Sequence, residues 1–142
     1  MVDWCQHTDY LRCSPSFHGV LRYDGVIIKT QNGYIFGRLI SIFKYQAANV
    51  TGNATLVLIQ PYDAPVGART RKDKHLNLFR VRARPRMSSE FFSVESIVRG
   101  AALVEDHTQP GDYLVIDTID TDMFLRIQKM HQDAGHEPLP TQ

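Results

Sequence analysis

A long alternating segment, YIFGRLISIFKY at residues 34–45, limits most strongly what this chain can fold into. It follows Asn32-Gly33, a dipeptide suited to the two positive φ angles of a type I′ hairpin turn. The pattern predicts one long strand that is buried on both faces, and Gly37 in its middle predicts a bulge or sharp bend. Alternation assigns Ile35, Leu39 and Phe43 to one face, and Phe36, Ile40 and Ile42 to the other.

The remaining chain reads as short strands between turn residues, followed by one helix. The helix is predicted at residues 121–132, where Asp120 or Thr121 can cap the N-terminus. Its apolar stripe consists of Met123, Phe124, Ile127 and Met130. The strand patterns lie at residues 17–23, 25–31, 55–60, 78–84, 91–98, 101–104 and 113–117. This order predicts a mainly β fold, a small partly open β-barrel with one C-terminal α-helix.

The chain has 142 residues, which fits one domain. We expect an N-terminal extension at 1–16, a single domain at 17–132 and a disordered tail at 133–142. No apolar run approaches the roughly 20 residues of a membrane helix, and the N-terminus lacks the pattern of a signal peptide. With 2 cysteines a disulfide scaffold is not expected either. The sequence therefore predicts a soluble, intracellular protein with no membrane partner.

The charges are unevenly distributed along the chain. Residues 1–86 hold 13 Lys and Arg against 5 Asp and Glu, whereas residues 87–142 hold 3 against 10. Such separation predicts either one positive and one negative surface, or two halves that neutralise each other. The densest basic segment contributes eight residues: Arg69, Arg71, Lys72, Lys74, Arg80, Arg82, Arg84 and Arg86.

Four of these arginines occupy every second position of NLFRVRARPRM. In a strand they share one face, so we expect them to point outward while Phe79, Val81 and Ala83 point inward. Residues 62–75 before them lack periodicity and predict a long, exposed, mobile loop. Three roles remain open for the arginines: contact with an acidic protein, contact with DNA or RNA, or an internal or solvated role. Internal pairing would use Glu90, Glu95, Asp117 or Asp120 on neighbouring strands.

Nucleic acid is the less favoured of the two external partners, because the isoelectric point is about 7.8 and no RNP1 motif is present. Hydrolase elbows, phosphate loops and HExxH helices are also missing, so we expect no enzyme and no cofactor. Asp117, Asp120 and Asp122 are explained by helix capping better than by a metal. A zinc site would need Cys5, His7, Cys13 and His18, but their spacing has no C-x2-C turn, so the sequence favours no metal.

Three segments resemble the bromo-adjacent homology (BAH) family of chromatin domains, over roughly residues 17–117. The first covers the "I-G-R-I" core, the second an aromatic-plus-proline turn and the third a spaced apolar element. The matching positions are Ile35, Phe36, Gly37, Arg38 and Leu39; Gln60, Pro61, Tyr62 and Pro65; and Val94, Ile97, Gly100 and Val104. The chain is also similar to C-terminal parts of predicted proteins linked to mobile elements in mushroom genomes.

The family resemblance implies a β-barrel-like fold that binds histone tails, nucleosomes or other proteins in the nucleus. Members that read methylated lysine use an aromatic cage, because a quaternary ammonium is attracted to ring faces. Tyr34, Tyr45 and Tyr62 are the cage candidates here, whereas the only tryptophan, Trp4, lies outside the matched region.

Together these features predict a non-catalytic binding module in chromatin or nucleic-acid-associated assemblies. Its recognition surface would be the loop and strand at residues 62–86. The alternative is a structural or assembly domain of a larger mobile-element-related protein, which docks onto other proteins through its separated charges.

Overall fold

The computed structural model describes residues 10–49, 51–66 and 71–134. Within these ranges the chain is mainly β, with one α-helix after the last strand, as the sequence predicted. Two short 3-10 turns lie at Arg86–Ser88 and Val94–Ser96. The strands are β1 (Cys13–Phe17), β2 (Val20–Tyr23), β3 (Gly25–Thr30), β4 (Gly33–Tyr45), β5 (Ala54–Pro61), β6 (Phe79–Arg82), β7 (Glu90–Ser93), β8 (Ile97–Glu105) and β9 (Asp112–Ile116), and the helix is α1 (Thr121–Ala134).

Seven strands form one antiparallel sheet in the order β6-β9-β8-β3-β4-β5-β7, and β1 pairs with β2 in a separate hairpin. The strands at the two edges, β6 and β7, do not pair with each other in the described part of the chain. No closed barrel is found within the described residues, and the large antiparallel sheet is the part of the predicted fold that is shown.

The long strand β4 joins the two halves of this sheet. Its first part pairs with β3, and the part from Gly37 onward pairs with β5. The register shifts between Leu39 and Ser41, so the bulge lies there and not at Gly37. Gly37 is required for another reason: a Cβ at this position would collide with the side chain of Ile59.

The bulge also changes which side chains of β4 share a face. After it, Ile42 pairs with Val57 and Phe43 pairs with Leu56. Since opposite residues in an antiparallel pair point to the same side, Ile42 now lies on the face of Leu39, and Phe43 lies on the other face. The face assignment predicted for the second half of this strand was therefore wrong.

Each face of the sheet carries a hydrophobic cluster, and β3 is buried between the two. Ile27 points towards the helix, while Val26 and Ile28 point to the opposite face. Cys13 of the β1–β2 hairpin and Leu11, just before it, pack against that opposite face. The helix-side cluster contains Ile27, Phe36, Tyr62, Phe79, Val81, Val115, Met123 and Ile127, and the opposite cluster contains Val26, Ile28, Leu39, Val57 and Ile59.

Helix α1 closes the first cluster and begins where the sequence predicted. The carboxylate of Asp120 accepts a hydrogen bond from the Met123 backbone N–H at 2.8 Å, so Asp120 is the N-cap. Met123 and Ile127 of the predicted stripe are buried, whereas Phe124 is exposed. No helix in the described ranges is long and apolar enough to cross a membrane.

Two further expectations need correction. The segment predicted as one strand at residues 17–23 is split by a turn, because His18 and Gly19 adopt positive φ angles of 50° and 81°. The segment predicted as an exposed loop buries Tyr62 and Val66 in its first part. The domain bounds stay a prediction: β1 begins at Cys13, inside the predicted extension at 1–16, the helix ends at Ala134, and residues 135–142 of the predicted tail lie outside the described residues.

Candidate binding surface

Arg80 lies at the centre of an ion-pair cluster in the interior, although the sequence placed it on a solvent-facing row. Only 8% of the residue is exposed. Its guanidinium binds Asp106 at 2.5 Å, Asp73 at 3.1 Å and Asp112 at 3.5 Å. Asp73 belongs to the loop before β6. Asp106 lies in the turn between β8 and β9, and Asp112 is the first residue of β9. Arg80 therefore fastens two loops to an edge strand.

The next three arginines are progressively more accessible. Arg82 binds the same fully buried Asp112 at 2.6 Å, directly across the β6–β9 ladder. Arg84 binds Asp63 at 2.6 Å and 3.1 Å through two of its nitrogens. Arg86 is exposed and its guanidinium lies 4.9 Å from the centroid of the Tyr23 ring. The predicted outward row is thus wrong for Arg80 and largely neutralised at Arg82 and Arg84.

The electrostatics of the cluster follow from its hydrogen bonds. Hydrogen bonds from Thr108 and from the Arg80 guanidinium lower the pKa of Asp106 to about 2. The pKa of Asp73 is also lowered, first by the backbone N–H groups of Leu76 and His75. Arg80 itself has a raised pKa, chiefly through its bond to Asp106. All these groups are charged near neutrality, so the basic and acidic halves of the sequence neutralise each other here.

A second network lies entirely within the acidic half of the sequence, at the start of α1. The Arg99 guanidinium binds Asp120 through both terminal nitrogens, at 2.8 Å and 3.1 Å, and reaches Asp122 at 2.8 Å. Arg126 also binds Asp122 at 2.8 Å. The bond from Arg99 holds the pKa of Asp120 at about 2. These aspartates therefore cap and fasten the helix, which agrees with the structural role that the sequence favoured for them.

Other members of the basic segment remain at the surface. Arg71 and Lys74 are exposed, and among the described residues neither forms an ion pair. Lys72 is exposed as well and forms an isolated bridge with Phe79. Arg69 lies outside the described residues. The positive charge that is available to another molecule thus comes mainly from the loop before β6, with Arg86 beyond its end.

This surface borders a cleft of about 610 Å³ on the helix side of the sheet. Four parts of the chain enclose it: the β3–β4 turn, the loop after β5, strand β6 and the last turns of α1. Arg71 stands on one rim and Lys129 of the helix on another. Asp63 and Asp133 also line the cleft, but Asp63 is already bound to Arg84. The apolar wall includes Tyr34, Phe36, Tyr62, Phe79, Val81 and Met130.

The three tyrosines proposed for an aromatic cage are not brought together. Tyr34 and Tyr45 lie near opposite ends of β4, eleven positions apart, which at about 3.4 Å per residue is roughly 37 Å along the strand. Tyr62 is 2% exposed, and its ring packs 4.8 Å from that of Tyr113. The Arg38 guanidinium lies 5.5 Å from the same Tyr62 ring. Only Tyr34 and Tyr62 border the cleft, and Tyr62 is already enclosed by protein.

The candidate zinc ligands fall in two parts of the chain. Cys5 and His7 lie outside the described residues, Cys13 is a free thiol in β1, and His18 sits in the following turn. Within the described ranges no group of three or more His, Cys, Asp or Glu side chains is placed to hold a metal ion.

No known family model, curated protein or solved structure matches this chain. The interpretation of the surface therefore depends on its own geometry.

Several residues that shape this surface were missed in the sequence. Asp106 and Asp112 are the first and last residues of DHTQPGD, whose Pro and Gly marked it only as a turn. The internal partners considered there were Glu90, Glu95, Asp117 and Asp120, and none of these binds the four alternating arginines through a described salt bridge. Lys129 lies on the polar face of a well-predicted helix, and no local pattern connects it with Arg71.

Proposed function

We propose that this domain is a non-catalytic binding module that recognises an acidic segment of a protein partner. The observation that carries the proposal is the position of Arg71 and Lys129 on the rims of the cleft, without an ion pair among the described residues. Exposed, unpaired cations around a concave surface attract a partner with negative charge and guide its approach.

A protein partner is favoured over DNA or RNA because most of the predicted arginine row is not available. Three of the four alternating arginines bind carboxylates of the same chain. Nucleic-acid affinity grows with the number of phosphates that are neutralised, so a few free cations support only weak binding. A short acidic peptide segment needs fewer contacts of this kind.

The chromatin setting, and the BAH-like character of the fold, are proposed from the sequence resemblance alone. An open antiparallel sheet whose long central strand carries a bulge is compatible with a partly open barrel of that kind. An acidic segment displayed on the nucleosome or on a chromatin-associated protein would then be the partner, in the nucleus, since the basic histone tails do not carry such a segment.

Binding to nucleosomes and to free DNA of the same length, measured over a series of salt concentrations, tests this proposal. The double variant Arg71→Ala/Lys74→Ala removes two exposed cations of the loop. Arg12→Ala/Lys44→Ala removes the same two residue types, also exposed, from other elements. We expect only the first variant to weaken nucleosome binding and reduce its salt dependence. Stronger binding to free DNA than to nucleosomes, or equal effects of both variants, would contradict the proposal.

An assembly domain is the second candidate, because an apolar patch lies beside an edge strand. Phe91 of β7 is 64% exposed and packs edge-on against Phe43 at 5.5 Å. Met87, just before β7, is also exposed, and the outer edge of β7 has no strand partner within the described residues. Unpaired edges with exposed apolar side chains favour pairing with a second copy.

Solution mass distinguishes this second candidate. Phe91→Lys places a charge on the patch, and it should convert a dimer into a monomer if copies pair through β7. A wild-type protein that is monomeric at high concentration would exclude pairing of this kind. Docking through separated charges, as the sequence suggested for an assembly domain, is disfavoured, because the opposite charges are largely paired inside one chain.

A further inference from the structure

The cleft beside β6 has the properties of a site for one large apolar side chain. Its volume of about 610 Å³ lies within the roughly 300–1,000 Å³ of sites that bind drug-sized ligands, so it has room for a large apolar side chain together with flanking peptide. Three of its aromatic rings, those of Phe36, Tyr62 and Phe79, are themselves buried and hold the wall in place. An incoming side chain would thus meet a rigid apolar surface.

Tyr34 is the accessible ring of this cleft. It is 44% exposed at the start of β4, directly opposite Lys29 in the ladder. It also borders a smaller cavity of about 80 Å³, together with Lys129 and Met130. Pairs of aromatic rings are stabilised by offset-stacked or edge-to-face contact, beyond the effect of the apolar area they bury. Tyr34 can therefore cover an aromatic side chain that enters the cleft.

The charges at the rim determine what should flank that side chain. Arg71 and Lys129 are positive and have no ion pair among the described residues. Asp63 is neutralised by Arg84, which leaves Asp133 as the opposing charge. Two positive groups against one negative group favour carboxylates on the ligand near Arg71 and Lys129.

We infer that the cleft takes an acidic peptide with a single aromatic anchor, whose ring contacts Tyr34 and whose flanking carboxylates pair with Arg71 and Lys129. This inference rests on the proposed function and adds the class of sequence that the module recognises. The anchor supplies most of the affinity, because buried aromatic side chains dominate such interfaces. The exposed ion pairs supply a smaller, salt-dependent part.

Fluorescence anisotropy with labelled peptides tests this inference. The probes are short peptides of glutamate and glycine with tryptophan, leucine or alanine at the centre, and a lysine–glycine peptide with the same tryptophan. We expect the acidic tryptophan peptide to bind best, with an affinity on the order of tenfold or more above that of the alanine peptide. The lysine–glycine peptide should bind most weakly.

Variants then place the peptide in the cleft. Tyr34→Ala should weaken the tryptophan peptide about tenfold and leave the alanine peptide unchanged, since only the former has a ring to contact. Arg71→Ala and Lys129→Ala should each weaken both acidic peptides about three- to fivefold. Lys44→Ala, at an exposed lysine that does not line the cleft, is the control and should change neither.

Each result has a distinct meaning. Equal binding of the three acidic peptides, with sensitivity to Arg71→Ala, would overturn the anchor but leave the proposed acidic partner intact. Preference for the lysine–glycine peptide would contradict the proposed function as well. Unchanged nucleosome binding in all variants that lack a cation of this surface would do the same. Free indole acetate is a further probe. If it binds as tightly as the acidic tryptophan peptide, the cleft is a site for a small aromatic acid, and the peptide inference is overturned.

Discussion

Arg80 and Arg71 belong to the same basic segment, but they stand in opposite environments. Arg80 is buried on an edge strand and bound to three carboxylates, whereas Arg71 is exposed at the rim of a cleft with no ion pair among the described residues. The two are joined by a backbone hydrogen bond from the Arg80 N–H to the Arg71 carbonyl at 2.5 Å. Charge density in the sequence therefore does not identify the binding residues, because some of the charge serves the fold.

The largest expected effect is on stability, from Arg80→Ala. The substitution leaves Asp73, Asp106 and the fully buried Asp112 near one another with less positive charge between them. Removing one partner from a buried ion pair is costly, and we expect a loss of about 3 kcal/mol in the free energy of unfolding. Urea denaturation measures this loss. Arg80→Lys keeps the charge but cannot reach all three carboxylates, so it should recover only part of the lost stability. Full recovery would show that the three contacts of the Arg80 guanidinium are not required.

A smaller loss is expected for Arg82→Ala. Arg82 is partly exposed, but its partner Asp112 is 0% exposed and accepts a 2.6 Å bond from it. Weakening a charged hydrogen bond to a buried group costs about 1.5 kcal/mol. The same denaturation measurement applies. A double variant with Arg80→Ala should lose more than the sum of the two single variants, because both arginines serve Asp112.

A third, smaller effect should appear in acid. The pKa of Asp106 is lowered in the folded protein from its ordinary value of 3.8 to about 2. Its contribution to stability is therefore fully present above about pH 4, and it is lost as the pH falls through 2. Denaturation midpoints over this range should fall less steeply in Asp106→Asn than in the wild type. Parallel curves would show that Asp106 does not carry this dependence.

The smallest expected effect on stability is at the other end of the comparison. Arg71→Ala and Lys74→Ala remove exposed side chains that form no ion pair with the residues the structure describes, so each should change the free energy of unfolding by no more than about 0.5 kcal/mol. A loss comparable to that of Arg82→Ala would show that the loop depends on these cations for its structure, and the contrast with Arg80 would disappear. Binding assays on these variants are therefore free of folding defects if the expectation holds.

Much of the fold was predictable because it depends on local pattern. Alternation over β4, the Asn-Gly turn before it and the capped stripe of α1 each specify their own structure through short-range physics. The bulge between Leu39 and Ser41 was not visible, since both registers keep an apolar pattern on each face. The candidate site was predicted only in part: Arg71 lies in the expected loop, but Lys129 comes from a helix 58 positions later in the sequence.

The sequence by itself determined a mainly β domain with one C-terminal helix, and it determined that strongly basic and acidic segments had to meet or separate. Only the tertiary structure decided which of these happened. Placing β9 beside β6 brings the turn that carries Asp106 and Asp112 over the arginines, and it leaves Arg71 and Lys129 around a cleft. The reason is physical: the pairing of a charge depends on which distant strand becomes its neighbour, and periodicity within one strand contains no record of that neighbour.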